Sequence, residues 1–576
     1  MDGVSSTGGP RRLLRHRVPV RVRHNWKLLA GTCAFLLVLV VGFGTGTIRP
    51  YATSAAVRAP AVVTQNIEGT KDLFDTSVAH DVSIEFADAN YQKMLKEYFD
   101  SGEKDYLPAT VVIDGTRIEN AGIRLKGNST LSGLTWNGER RERGGGNAPQ
   151  FQPPAGMQLP EGAEPPAGMQ LPEGAEPPAG MQLPEGAQPG QRFQGPGAEL
   201  KAEEPEDLPW LVSFDEYVEG RRYQNHTQIA VRPGTSQSAA QLNEALAISL
   251  VDAAGEPSQR YTYSGFTVNG RASAPRLLVE YLDEGYAEEL GDGVLYKALA
   301  TSQFTYQGED QTAYGDDFKQ VNDVGGSDLQ PVINLVRWVE NASDEEFAAG
   351  LGERLDVEAF ARYIALQNVM MNFDDMAGPG KNYYLWYDRG TRRFTVVSWD
   401  MNLTFSGDAT AGPHDSTGMG MGGRRQAGQQ PQAGQQPQAG RQPQAGQPPN
   451  GVQPPDGQRP PGGMQPPAGR PQAGQLPQAG QQPPDGAVRM GMGGNKLKER
   501  FLATEAFKKV YEEQYRAVYA ATLDGGKAVE TLDRIVSAYR LNQGAKDEVA
   551  AEADALKSTL DKRVTALSAH EVVRGS

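Results

Sequence analysis

Two adjacent carboxylates, Asp374 and Asp375, stand in a loop with Gly378, Pro379 and Gly380, and Asn382, Asp400 and Asn402 follow within thirty residues. Oxygen donors of this kind, with no cysteine or histidine among them, suit a hard cation such as Mg²⁺ or Mn²⁺, with Ca²⁺ as an alternative. A carboxylate beside such a cation can orient an attacking hydroxyl, so the chemistry they could support is metal-assisted phosphoryl transfer. Taken singly, each residue is an ordinary turn or cap residue. The spacing is what gives the set its meaning.

The elements that must position these residues can be read from the pattern. DVEAFARYIALQNVMM predicts a helix over about 356–371, with Asp356 as its N-cap. YYLWY (Tyr383–Tyr387) and FTVVSW (Phe394–Trp399) predict two strands joined by the DRGTRR turn. A tight hairpin brings its open ends together, so Asn382 entering and Asp400 leaving should lie side by side, with the loop carboxylates close by.

Upstream, VSIEF (Val82–Phe86) predicts a strand. Asp88 is a candidate N-cap for a helix burying Tyr91, Met94, Leu95 and Tyr98. ATVVIDGTRIENAGIRLKG predicts a hairpin across an Asp-Gly turn, and YTYSGFTVNGRASAPRLLVEYL another across Asn-Gly. LPWLVSFDEY and GVLYKALA predict strands, and LNEALAISLVDAAG a helix ending at Gly255. Residues 329–371 and 496–568 read as helical. Strands come early and helices late, which predicts an α+β, two-lobed domain.

Two tracts interrupt that domain. PPAGMQLPEGAE begins at Pro153 and Pro165, and again with a final Gln at Pro177, within an insert over about 140–205. Gln-Pro-Gln-Ala-Gly units fill 407–494. Both predict disorder, because they carry almost nothing to bury.

The N-terminus has a different character. Arg11, Arg12, Arg15, Arg17, Arg21, Arg23 and Lys27 precede an uncharged apolar run from Leu28 to about Ile48. That length is close to the ~20 residues of a membrane-spanning helix. A cytoplasmic tail (1–27), an anchor (28–48), a linker (49–70) and an extracytoplasmic domain are the expectation, the domain being secreted if the segment is cleaved. The domain comprises 71–406 and its helical continuation 495–576.

Composition removes several function classes. Acidic residues outnumber basic ones 71 to 56, for a net charge of -15, which disfavours a nucleic-acid partner. The one cysteine, Cys33, lies in the apolar run, so there is no intrachain disulfide framework or cysteine metal site. The six histidines form no HExxH motif, and neither a GxSxG elbow nor a Walker GxxxxGK[ST] sequence is present.

NFDD…KNYYLW…VVSWDMNLTF resembles the signature of the CotH (spore-coat protein H) kinase family, an atypical protein-kinase-like group. RLKGNST (Arg124–Thr130), FDEY…RRYQ (Phe214–Gln224), LNEALA (Leu242–Ala247), VNG…LLVEYLDEGY (Val268–Tyr286) and GVLYK (Gly293–Lys297) are similar to further blocks of that family, in family order over about 80–405. The resemblance implies a two-lobed atypical kinase fold binding ATP and Mg²⁺ or Mn²⁺ and phosphorylating Ser/Thr hydroxyls of a protein substrate. It implies Asp374 as the catalytic aspartate, with Asp375 as the alternative, and Asn382 and Asp400 as metal ligands. Asn402 stands where a second carboxylate often occurs in the family. For the nucleotide-holding lysine that the resemblance implies, Lys297 and Lys126 are both candidates. Glu280 or Glu244 is a candidate ion-pair partner for it, and Arg221 and Arg222 are further phosphate candidates. A surface adhesion or structural protein that keeps the fold and a cation without transferring phosphate is the alternative.

Overall fold

The computed structural model describes residues 27, 62–127, 130–141, 200–234, 240–322, 328–415 and 494–575. Nearly all of these fall in one unit, residues 63–322 and 329–576. The repeat tracts at 142–199 and 416–493 and the expected anchor at 28–48 lie outside the described residues. Among the described residues no helix is long and apolar enough to cross a membrane.

Seven strands of the first sheet form a ring: β1 (Asp81–Glu85), β2 (Leu107–Ile113), β3 (Thr116–Leu125), β4 (Trp210–Ser213), β5 (Gln228–Val231), β6 (Tyr261–Val268) and β7 (Arg276–Glu280), with the short Arg271–Ala272 strand added on β6. Their spatial order is β1-β2-β3-β4-β5-β7-β6, and β6 then pairs with β1. That last pairing is parallel, from Gly265 opposite Asp81 to Val268 opposite Ile84, and the others are antiparallel. The sheet is therefore a closed seven-stranded barrel.

This closure corrects the expected architecture of a two-lobed kinase-like domain. Local periodicity identifies strands, but it carries no signal for the β6–β1 pairing, whose partners are far apart in sequence. A closed barrel leaves no open sheet edge, so the early strands complete themselves instead of forming a lobe with free edges.

Alternation along the strands explains the core. β1 buries Val82 and Ile84, and β2 buries Leu107, Ala109, Val111 and Ile113. These pack in one cluster with Ile123, Trp210, Val212, Ile229, Phe266 and Leu278. Helix α1 (Asp88–Ser101) adds Tyr91, Met94, Leu95 and Tyr98, its predicted apolar face. Asp88 is its first residue and not its cap, since Ala87 occupies the cap position without a side-chain bond. The two predicted turns form with left-handed Asp114–Gly115 and Asn269–Gly270 pairs (φ 47° and 82°; 48° and 79°), as type I′ hairpins need.

The second sheet contains β8 (Gly293–Ala298), β9 (Phe318–Gln320), β10 (Tyr383–Asp388) and β11 (Arg393–Ser398), in the antiparallel order β9-β8-β10-β11. Helix α2 (Leu242–Ala253) follows β5, and α3 (Glu284–Leu290) follows β7. Helices α4 (Gln330–Asn341), α5 (Asp344–Gly350) and α6 (Val357–Val369) lead to the carboxylate loop. Asp356 caps α6 as predicted, accepting a bond from the Ala359 amide at 3.0 Å. After the second tract come α7 (Lys496–Ala503), α8 (Glu505–Thr522), α9 (Lys527–Arg540) and α10 (Val549–Ser568). α8 packs along α6, and α9 packs on α2 and α10.

Candidate active site

The β10–β11 hairpin forms in the expected register, with Tyr383 opposite Ser398 at its open end. Asn382 and Asp400 therefore leave the sheet at the same end. Asp400 takes a left-handed backbone conformation (φ 52°) that opens a short 3₁₀ turn, Met401–Leu403. Few non-glycine residues adopt this geometry.

The Asp400 carboxylate accepts a 2.7 Å bond from the Arg232 guanidinium. The same nitrogen also bonds Glu244, which is fully buried on α2. Arg232 directly follows β5, so this cluster joins the barrel, α2 and the hairpin. Burial alone would raise the Asp400 carboxyl, but Arg232, Lys126 and Lys297 outweigh it and pull it to about 2. Burial dominates at Glu244 and pushes its carboxyl up. Arg232 Nε and Glu244 Oε2 are buried without a hydrogen-bond partner among the described residues.

Both candidate lysines reach the same place. The ammonium groups of Lys126 and Lys297 stand 5.3 and 5.0 Å from the centre of the Trp399 ring. Lys297 is also 5.2 Å from the Tyr281 ring centre and donates to its hydroxyl at 3.1 Å. Burial and the Arg232 charge bring the Lys126 ammonium down to about 8. Burial would raise the Tyr281 phenol, but Lys297 and Lys126 prevail and lower it to about 8. Trp399 is core packing, with Tyr384, Trp386 and Leu295, and it also carries two cations on its ring.

The loop separates its two carboxylates. Asp374 accepts from the Gly380 amide at 2.5 Å and from Asn382 Nδ2 at 3.0 Å. Burial raises its carboxyl, and the charges of Asp400 and Asp375 add to that. Asp375 is buried elsewhere, in an ion pair with Lys498 of α7 and accepting from the Ala377 amide at 2.8 Å. The glycines allow this fold. A Cβ on Gly380 would lie 2.6 Å from Asp374 Oδ2, and one on Gly378 2.4 Å from Asp374 Cα. A polar relay ties loop to hairpin: Asn372 Oδ1 accepts from the Asp374 amide (3.1 Å), Asn372 Nδ2 donates to Gln367 (2.8 Å), and Gln367 donates to Ser398 (3.0 Å).

Other candidates have different roles. Glu280 meets neither lysine in an ion pair; Arg260 holds its carboxylate at 2.7 Å. Asn402 contributes its carbonyl, which accepts from Asn243 Nδ2 at 2.6 Å. Arg221 is buried on the carbonyls of Phe214, Glu119 and Asn120, and Arg222 makes a bidentate pair with Glu288. Arg232, Tyr281, Gln367, Ser398 and Lys498 were not singled out from the sequence. Only Arg232, a lone cation after the apolar QIAV strand, carried any signal there.

Among the described residues no group of three or more His, Cys, Asp or Glu side chains is placed to hold a metal ion. The donors present fit a different arrangement. Mg²⁺ is commonly held by one or two carboxylates together with substrate phosphates and water. The Asp400 carboxylate with the Asn382 amide oxygen matches that requirement, and the like charge of Asp400 helps to raise the Asp374 carboxyl beside it. Lys126, Lys297 and Arg232 supply the positive charge a polyphosphate needs.

Residues 204–449 match the family model described as CotH kinase protein. No curated protein matches the chain. The match covers Arg232, Glu244, Lys297, Asp374, Asn382 and Asp400 and leaves Lys126 and Lys498 outside it; over this stretch the chain is similar to the CotH kinase family.

Proposed function

We propose that this protein transfers the γ-phosphoryl group of ATP to Ser/Thr hydroxyls of a protein substrate. The observation that supports this reading is the convergence of Lys126, Lys297 and Arg232 around Trp399 and Asp400, with the Asp374–Asn382 pair held to the same hairpin end by the Asn372–Gln367–Ser398 relay.

The three cations bind phosphate oxygens, and the Lys297–Tyr281 bond fixes the direction of one of them. Asp400 and Asn382 would hold a divalent cation, which when bound neutralises phosphate charge. Asp374 accepts a hydrogen bond from the acceptor hydroxyl and orients it for in-line attack. Its raised carboxyl makes it a better proton acceptor than an exposed aspartate. Glu244 keeps Arg232 in place, the part played in protein kinases by a helix glutamate on a lysine.

The test is incubation of the protein with labelled ATP, Mg²⁺ or Mn²⁺ and a protein acceptor. Asp374→Asn should lower transfer by about 10²–10⁴-fold, the usual range for a positioned acid–base group. Absence of both label transfer and a nucleotide-dependent thermal shift would exclude the reading. The Arg232–Asp400 ion pair favours a second one, in which arginine takes the place of a cation and the fold serves adhesion or structure. In that case Asp400→Ala would leave the response to Mg²⁺ and nucleotide unchanged.

A further inference from the structure

We infer that Lys498, which lies beyond the second repeat tract and outside the family match, is a positioning residue for the Asp374 loop. This rests on the phosphotransfer reading above. Two adjacent carboxylates occupy the loop, and only one can serve the acceptor hydroxyl without competition. Lys498 pairs with Asp375, the side chains being 17% and 3% exposed. The other Asp375 oxygen accepts from the Ala377 amide at 2.8 Å. Asp375 is thereby neutralised and turned to its own partners, and Asp374 keeps Gly380 and Asn382.

The location of Lys498 supports a tertiary role. It lies in the first turn of α7, where the helix dipole disfavours a cation. Its backbone is nevertheless fixed, since the buried Asn495 accepts from the Leu497 and Lys498 amides at 3.1 and 3.3 Å. A lysine placed against the local electrostatics and largely covered needs a partner elsewhere, and Asp375 is that partner. The chain after the second tract therefore completes the loop that the chain before it begins.

The experiment compares wild-type protein with Lys498→Met, Lys498→Arg and the double variant Asp375→Asn/Lys498→Met. Two readouts are used: amide hydrogen exchange over 374–381, and kcat and KM for ATP. Lys498→Met should speed exchange in this segment and lower kcat by about 10–100-fold, because small misplacements near reacting groups have effects of that order. KM for ATP should stay near wild type, since the phosphate-binding cations are untouched. Lys498→Arg should recover most of kcat. The double variant leaves no lone buried charge and should fold even if Lys498→Met does not; it too should show the faster loop exchange. Wild-type exchange in the double variant would overturn the inference, as would a fall in kcat that arginine does not rescue. If the wild type transfers no phosphate, the proposed function fails, and exchange alone still decides whether Lys498 orders the loop.

Discussion

Gly380 shows how much of the site depends on a missing atom. The Asp374 carboxylate occupies the space a Cβ would need, 2.6 Å away. Gly380→Ala must displace either the loop or the carboxylate, so transfer should fall about 10–100-fold, with a smaller change in melting temperature. Asp400 has a signature of its own. Its carboxyl lies at about 2 instead of the ordinary 3.8, so the folded state binds this proton less readily than the unfolded chain. Its stabilising contribution is complete above 3.8 and is lost as pH falls through about 2. Urea unfolding of wild type and Asp400→Asn should show a stability gap at neutral pH that closes on acidification. Lys126 lies at about 8 and is charged at neutral pH. ADP affinity should fall about tenfold between about pH 7 and 9 as this charge is lost and the Tyr281 phenol, also at about 8, ionises; Lys126→Arg should shrink that limb, and adding Tyr281→Phe should remove it.

At the scale of elements, the hairpin was legible because its signal is local. Alternation, a polar turn and aromatic strands specify YYLWY and FTVVSW, and the observed strands differ by about a residue. Asp356 as the α6 cap was legible for the same reason. The connection between loop and hairpin was not, because a glutamine in a helix and a serine in a strand have no distinguishing pattern. Gln367 and Ser398 are both buried, and their 3.0 Å bond links α6 to the end of β11. Gln367→Leu breaks the relay and removes two buried side-chain hydrogen bonds, to Asn372 and to Ser398. It should cost about 1–3 kcal/mol of stability, the sum expected for two lost hydrogen bonds of about 0.5–1.5 kcal/mol each, and lower kcat more than it raises KM for ATP. Denaturant titration and steady-state kinetics measure the two effects.

At the scale of the molecule, the helices after the second tract are part of the domain. Arg563 of α10 is fully buried and donates to Asn368 O and Oδ1, Val369 O and Ala411 O, with Tyr515 on the same network. It therefore closes the C-terminal end of α6, immediately before the Asp374 loop, where helix carbonyls lack partners. Arg563→Ala should destabilise the protein by about 3 kcal/mol or more, since several buried acceptors lose a charged donor at once. A thermal or chemical melt reads this directly.

By itself the sequence determined the strands and helices of the hydrophobic pattern, the type I′ turns, the α6 cap, and the segment that holds Asp374, Asn382 and Asp400. Each of these follows from neighbours within a few residues or from the reach of one hairpin. Tertiary structure decided the rest. It closed the barrel through β6 and β1, paired Glu244 with Arg232, gave Glu280 to Arg260, and set both Lys126 and Lys297 over Trp399. It also separated Asp374 from Asp375 by supplying Lys498 to only one of them. The physical reason is common to all five: burial makes an unpaired charge or open strand edge costly, and the partner that relieves it is chosen by proximity in the fold, which sequence spacing does not encode.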